Sequence, residues 1–353
     1  MSAKLPPTVS SSPPALLAGK RPDIDARRDN CDVDALRFDG QVVVVTGAGQ
    51  GLGRLYALDL ALRGASVVVN DVGASVDGSG ADRSVADEVV EEIRGLGGHV
   101  AASYETIASD EGGRQLVDTA ITTFGRIDAL INNAGNMRQE EFGEIADDDL
   151  DALLQVHVHG AFHVTQPAFR AMRDQGYGRI VFTGSSAGTF GSPGLAAYGA
   201  AKGAVLGLAR VVALEGAERG VKVNTVLPTG RTRMGAASPV VYDADAPVPS
   251  PARRAFLDAM RPEFVSPLVV YLASRECSVS GQVFSAVGGR YARVFTGLGR
   301  GWVAAEGRRT AEAVREHFGE IADPSDYFIP ESTAAEIDAV MRQINVGLGP
   351  TAL

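Results

Sequence analysis

Tyr198 and Lys202, four positions apart, and Ser185, thirteen positions before the tyrosine, are the side chains of this sequence whose types and spacing could do chemistry together. On a helix, positions i and i+4 share a face, so Lys202 can bring its charge near the Tyr198 phenol. A free phenol titrates near pH ~10, and a neighbouring ammonium favours the phenolate, which makes Tyr198 a candidate general base or acid toward an alcohol or its ketone. Ser185 follows the β-branched run Ile180–Thr183, where its hydroxyl could hold a substrate oxygen, with Ser186 as its competitor. Plainer readings exist: Tyr-x-x-x-Lys is common on surface helices, and serines in Gly/Ser-rich turns usually satisfy local backbone groups.

A second constellation could hold a nucleotide. Val42-Val43-Val44-Val45-Thr46-Gly47-Ala48-Gly49-Gln50-Gly51-Leu52-Gly53 reads as a buried strand, a glycine turn and the start of a helix. Glycine permits the tight turn and lets backbone approach a pyrophosphate, and a helix start offers N–H groups and a positive dipole end. Asp71 ends the next strand, 24 positions after Gly47, where a carboxylate would accept hydrogen bonds from a ribose and repel a 2′-phosphate. With Gln50 in the turn and no Arg or Lys directly after Asp71, NAD is expected rather than NADP.

The elements that must position these groups alternate in type. Strands are expected at Val42–Thr46, Ser66–Asn70, Val100–Tyr104, Ala129–Asn132, Ile180–Thr183, Val223–Leu227 and Gln282–Ala286. Helical patterns lie between them near Gly51–Arg63, Ala81–Leu96, Glu111–Phe124, Asp147–Arg173, Ala196–Arg219 and Pro262–Ser274. This rhythm predicts an α/β fold: a doubly wound, mostly parallel seven-stranded Rossmann sheet with helices on both faces and a C-terminal helical appendage. The expected organisation is a flexible Pro/Ser-rich extension over residues 1–38, the sheet domain over 39–290, and an appendage over 291–353 with helices near Arg308–Phe318 and Thr333–Ile344, packed on the core or on a dimer partner. Thr229–Met260, with Pro239, Pro247, Pro249 and Pro251, is either a loop that closes over substrate or a solvated connection.

The bulk properties narrow the class. A sequence of 353 residues with 45% apolar side chains can bury a large core. A net charge of −10 argues against nucleic acid and anionic membrane surfaces as partners. Two cysteines, Cys31 and Cys277, suggest neither a disulfide framework nor a zinc site. No apolar stretch is expected to cross a bilayer, no secretory leader is apparent, and Gly349-Pro350-Thr351-Ala352-Leu353 is no peroxisomal address, so the expected location is cytoplasmic.

Taken together, Thr46-Gly47-Ala48-Gly49-Gln50-Gly51-Leu52-Gly53, Asn132-Asn133-Ala134-Gly135, Ser185 and Tyr198-x-x-x-Lys202 resemble the short-chain dehydrogenase/reductase pattern over about residues 39–290. The resemblance implies that Tyr198 is the acid/base, that Lys202 lowers its pKa and holds the nicotinamide ribose, and that Ser185 orients the carbonyl or alcohol. It implies cofactor contacts from Gly47, Gln50, Gly51, Leu52, Gly53, Asp71, Asn133, Ala134 and Gly135, from Tyr198 and Lys202 themselves, and from Pro228, Thr229, Gly230 and Thr232. Val67-Val68-Val69-Asn70-Asp71, Val89–Arg94, Phe124–Asp128 and Arg261–Leu268 are similar, more narrowly, to the (3R)-hydroxyacyl-CoA dehydrogenase unit of type 2 multifunctional enzymes. That likeness implies a small-molecule substrate of the acyl-CoA class, including bulky or steroid acyl groups, and places Thr106 and Ile107 by the adenine. Where the family usually has an asparagine holding a relay water, this sequence has His157, which that unit also tends to carry, so a relay role is expected.

Other readings stay open. His157, His159 and His163 could be metal ligands, but without a nearby Cys or carboxylate cluster no metal is expected. A dehydrogenase of a free hydroxysteroid or other hydrophobic alcohol, and a dinucleotide-binding regulatory protein without catalysis, are the rival functions. Arg231, Arg233, Arg253 and Arg254 would meet CoA phosphates or be solvated. By resemblance, pairing through Asp147–Arg173 and Ala196–Arg219 implies a homodimer or homotetramer.

Overall fold

Four consecutive valines, Val42 to Val45, point alternately to two faces of one sheet, and both faces are covered: Val43 and Val45 belong to one apolar core, Val42 and Val44 to another. Burying each such side chain contributes about 1.5–3 kcal/mol relative to leaving it exposed, which is why an all-valine run forms a central strand. The computed structural model describes residues 35–232, 234, 251–305 and 309–348. The N-terminal extension up to residue 34, Cys31, Arg233, Pro239, Pro247 and Pro249, and the side chain of Arg253 lie outside the described residues. Contacts part the chain after Leu36, and the architecture below is that of the unit beginning at Arg37.

The sheet uses strands β1 (Val42–Thr46), β2 (Ser66–Asn70), β3 (His99–Ser103), β4 (Ala129–Asn132), β5 (Gly178–Thr183), β6 (Val221–Thr229), β7 (Val283–Val287) and β8 (Arg290–Val294). Their spatial order is β3-β2-β1-β4-β5-β6-β7-β8. All neighbours run parallel except β7 and β8, which pair antiparallel. The order reverses between β1 and β4, and in such sheets ligands bind at the carboxyl edge of that switch point. Helices α1 (Gly51–Leu62) and α2 (Ser84–Gly95) cover one face with a later helix over Ser266–Ala273; α3 (Asp110–Phe124), α5 (Ala161–Gln175) and α7 (Ala196–Gly216) cover the other. Between them lie α4 (Asp147–Leu154) and the short α6 (Ala187–Phe190); after β6 come α8 (Pro251–Ala259) and α9 (Ser266–Ala273).

Three features differ from the sequence expectation. An eighth strand extends the sheet: Gly288 and Gly289, both at positive φ, turn the chain so that β8 pairs back along β7. The single helix expected over Asp147–Arg173 is three pieces, α4 and α5 joined by a π-helical turn over Gln155–Gly160 that carries His157 inward to a buried position. Finally, Ala196–Arg219 is, by length and composition, apolar enough to cross a membrane, contrary to expectation. Its Ala201, Val205, Ala209 and Ala213 are buried, the last three against the sheet, so the apolar character belongs to a core helix.

Beyond β8 the chain forms a two-stranded antiparallel pair, β9 (Leu298–Gly299) with β10 (Tyr327–Phe328), and helices α10 (Ala311–Glu316), α11 (Phe318–Ile321) and α12 (Thr333–Leu348). Trp302 stacks on His317 at 4.2 Å and Phe295 on Tyr327 at 5.8 Å.

Candidate active site

The glycine turn after β1 is fixed to β4 by side-chain chemistry. Thr46 Oγ1 accepts the N–H groups of Asn133 and Ala134, each at 3.0 Å, and Asn133 Nδ2 donates to the carbonyls of Thr46 and Gly47, each at 3.0 Å. Gly47 and Gly51 sit at φ +61° and +56°, in the left-handed region that glycine adopts without strain. Gln50, the N-cap of α1, makes no side-chain cap, so the helix start keeps its character as an anion site. Gly53 serves the turn differently from expectation: it does not line the cleft, and a Cβ there would lie 2.1 Å from the Gly47 carbonyl oxygen. Its role is to let α1 pack against the turn.

At the end of β2, Asp71 is held by backbone on both sides: Oδ2 accepts from Gly49 N at 2.8 Å and Oδ1 from Gly73 N at 2.7 Å. Each carboxylate oxygen keeps a lone pair for a ribose hydroxyl. A cleft of about 630 Å³ runs along the carboxyl edge of the sheet. Gly47, Gln50, Gly51, Leu52 and Asp71 line one part of it, with Thr106 and Ile107 after β3; Asn133, Ala134 and Gly135 follow β4, and Pro228 and Thr229 end β6, with Gly230 and Thr232 just after it. Lys202 is the one lysine or arginine among the described residues that line it, while Asp71 and Glu105 are acidic. The uncapped helix start, the glycine turn and the strand-end carboxylate fit a dinucleotide's pyrophosphate and ribose.

Ser185, Tyr198, Lys202 and His157 line the same cleft. The Ser185 hydroxyl is hydrogen-bonded to the Tyr198 phenol and also accepts Ala187 N at 3.1 Å. Lys202 Nζ lies 5.8 Å from the centre of the Tyr198 ring and donates to the Thr183 carbonyl at 2.7 Å. His157 meets the Tyr198 ring edge-on at 5.3 Å, and its Nε2 lies 2.8 Å from the Asn136 carbonyl. His159 is exposed and His163 reaches the Ile107 carbonyl at 3.3 Å; among the described residues no cluster of His, Cys, Asp or Glu is placed to hold a metal.

The electrostatics reverse what charge alone suggests. Burial pushes the Tyr198 phenol up to about 12, offset in part by the Ser185 hydrogen bond. Burial also pulls the Lys202 ammonium down to about 7. Desolvation, followed by the Lys202 charge, holds His157 well below its ordinary value. Lys202 is therefore not the group that dominates the phenol: the dry packing of the trio disfavours charge on each member.

Sequence reasoning missed the wall formed by the β2–α2 loop. Val76 accepts Met137 N at 2.8 Å, Arg138 Nε donates to the Asp77 carbonyl at 3.3 Å, and Val76, Gly78, Asn136 and Met137 all line the cleft. The signal was present: Gly73, Gly78 and Gly80 mark a long loop at the carboxyl end of a parallel strand, where such loops border ligands. Phe190 and Leu195, between Ser185 and Tyr198, add an apolar wall that no motif announced.

Comparison with known proteins places this geometry among relatives. The family described as short chain dehydrogenase matches residues 41–238. Peroxisomal multifunctional enzyme type 2 of Mus musculus is 40% identical over 321 residues, 89% of this chain and 42% of that protein. Peroxisomal multifunctional enzyme A of Dictyostelium discoideum is 35% identical over 311 residues, 88% of this chain and 66% of that protein. Among solved structures, full-length peroxisomal multifunctional enzyme type 2 from Drosophila melanogaster superposes with a TM-score of 0.72 at 31% identity, covering 89% of this chain and 51% of that one. The chain thus spans from 42% to 66% of the length of these relatives. They also correct the expected cytoplasmic location: each is, by name, a peroxisomal enzyme.

Proposed function

Because this chain belongs to the short-chain dehydrogenase/reductase family, and so is an oxidoreductase of CH–OH donors that uses a nicotinamide dinucleotide, we propose that it is an NAD-dependent dehydrogenase of (3R)-hydroxyacyl-CoA thioesters. The carrying observation is the buried Tyr198 phenol, hydrogen-bonded to Ser185 and neighboured by Lys202, in a cleft that extends to the Asp71 carboxylate. Bound NAD supplies the hydride acceptor for alcohol oxidation.

In this reading Ser185 holds the substrate oxygen and Tyr198 removes the hydroxyl proton, with Lys202 fixing the ribose beside it. The glycine turn and the start of α1 take the pyrophosphate, and Asp71 takes the adenosine ribose, with no lysine or arginine other than Lys202 among the described residues that line the cleft to welcome a 2′-phosphate. The acyl-CoA class is supported by the multifunctional-enzyme relatives and by the apolar wall of Met137, Phe190 and Leu195. We assign dinucleotide binding to residues 39–290 and treat 291–353 as an appendage to it. On α12, Ile337, Val340, Met341 and Ile344 form a solvent-facing apolar stripe at helical spacing, which supports a homodimer or homotetramer.

Tyr198→Phe should abolish NADH formation from a (3R)-hydroxyacyl-CoA while NAD binding, followed by calorimetry, persists. Wild-type turnover in that variant would overturn the assignment. Parallel assays with (3R)- and (3S)-hydroxyacyl-CoA and a free hydroxysteroid decide the substrate: preference for the free alcohol would replace the thioester reading, and no NADH from any of them would favour a non-catalytic nucleotide-binding role. Sedimentation at micromolar concentration should give a multiple of 36.8 kDa.

A further inference from the structure

The strand order β2-β1-β4 sets the glycine turn after β1 between the ends of two neighbouring strands. One segment bridges those two ends: Val72–Asp82 leaves the end of β2 and is hydrogen-bonded to the chain that follows β4. Val72, Ala74, Ser75, Val76 and Gly78 of this bridge line the cleft. A dinucleotide laid from Asp71 past the glycine turn to Lys202 therefore runs along its inner side.

The bridge is built as a unit on a closed base. Asp82 N donates to the Val72 carbonyl at 2.9 Å. Gly73, at φ +71°, lets these ends meet, since a Cβ there would run into the Asp82 carbonyl. The tip is tied to itself: Gly78 N donates to the Ser75 carbonyl at 3.0 Å and Ser75 N to the Ser79 carbonyl at 2.8 Å. Asp77 Oδ1 accepts both the N–H and the hydroxyl of Ser79, at 3.0 and 2.8 Å. Asp77 to Asp82 are exposed, so a tip that keeps its own bonds can lift as one body.

Few bonds hold the tip down. Met137 N donates to the Val76 carbonyl at 2.8 Å, and Arg138 Nε to the Asp77 carbonyl at 3.3 Å. The other side of this latch is anchored: Arg138 Nη1 donates to Asp149 of α4 at 2.6 Å, and Glu140 N to the Gly194 carbonyl at 3.1 Å. Closure is opposed at Asn136. A Cβ on Gly78 would lie 2.8 Å from Asn136 Nδ2, so the tip packs on this buried amide. Nδ2 donates to the Ala152 carbonyl at 3.1 Å, while Oδ1 is buried with no partner among the described protein atoms. An unpaired buried acceptor favours the lifted position, in which water can reach it. Two bonds against one orphan make an element whose balance a ligand's contacts can tip.

We propose that Val72–Asp82 is a strap that shuts over the bound dinucleotide and lifts to release it, and that Arg138 is the positioning residue that holds it down. Arg138 does not line the cleft; it acts through the Asp77 carbonyl. The inference rests on the proposed function only for the course of the dinucleotide between Asp71 and Lys202, and it needs no particular substrate.

Hydrogen exchange of the full chain with and without NADH, read on peptides over residues 72–82, tests the strap. NADH should slow exchange there by about tenfold. NADH that binds by calorimetry yet leaves exchange over 72–82 as in the free protein would overturn the proposal. Stopped-flow fluorescence of NADH release tests the latch. Arg138→Ala loses the bond to the strap together with its anchor, so release should be about tenfold faster, with hydride transfer in a single turnover within about twofold of wild type. Arg138→Lys, which keeps a cationic donor between Asp77 and Asp149, should bring release back to within about threefold of wild type. Release from Arg138→Ala at the wild-type rate would refute the latch; should that variant not fold, exchange in the wild type decides. If exchange and release behave as expected but no thioester is oxidised, the substrate reading fails and the strap stands.

Discussion

Tyr198 and Lys202 are each nearly inaccessible, and the fold holds an ammonium where charge is disfavoured. The sign of the resulting pH dependence follows from the shift. Lys202 titrates near 7 when folded and near its ordinary 10.5 when unfolded. Between these values the unfolded chain binds a proton that the native chain does not, so this residue's contribution to stability rises as pH climbs from about 7 to 10.5, and its penalty is nearly complete at pH 7. Lys202→Met should therefore stabilise the protein at pH 7, by on the order of 1–3 kcal/mol, and flatten the rise toward pH 10. Urea midpoints at pH 7 and 9.5 measure both; a Met variant less stable than wild type at pH 7 would show that the Thr183 hydrogen bond outweighs desolvation. Catalysis follows the opposite end of the same balance. With the phenol pushed up to about 12 before ligands bind, alcohol oxidation should accelerate with rising pH and ketone reduction with falling pH, as initial rates in the two directions would record.

At the scale of elements, the approach of α1 to the turn after β1 is set by Gly53. An alanine there puts its Cβ 2.1 Å from the Gly47 carbonyl and 2.5 Å from Asn133 Nδ2, so the turn and its staple to β4 must move apart. Gly53→Ala should cost about 1–3 kcal/mol of stability and weaken NAD binding by more than about tenfold, read by thermal unfolding and calorimetry. Unchanged NAD affinity would mean that the turn tolerates the shift. Strands β1, β2 and β4 were legible in the sequence because their residues are buried on both faces and read as continuous apolar runs. β8 was not, because Arg290, Tyr291 and Arg293 form an exposed edge whose pairing depends on β7, although Gly288-Gly289 marked the turn. The π-helical turn at His157 was illegible for another reason: residue propensities do not separate a π turn from an α one, and only packing reveals it. The motif residues of the site were readable as types at fixed spacing. The direction of their pKa shifts was not, since burial is a property of the assembled core.

At the scale of the whole molecule, charge works against the proposed substrate. The chain carries 33 basic and 43 acidic side chains for a net charge of −10, and the phosphates of CoA are anionic, so the long-range field opposes encounter. Nothing at the cleft wall offsets this among the described residues: Lys202 is buried, and Arg138, on the loop that borders the cleft, is paired with Asp149 at 2.6 Å. Arg231 and Arg254 are exposed and near enough in sequence to the end of β6 and to α8 to act locally, so the two influences have opposite signs and salt separates them. Raising ionic strength from about 0.02 to 0.15 M shortens the screening length from roughly 20 Å to about 8 Å, which removes distant repulsion before it removes close ion pairs. If the global charge governs, KM for a (3R)-hydroxyacyl-CoA should fall about two- to threefold over that range, while a pantetheine thioester lacking the nucleotide phosphates stays nearly constant. A KM that instead rises with salt for the CoA thioester alone would assign the phosphates to a local arginine site, and Arg231→Ala and Arg254→Ala would then locate it.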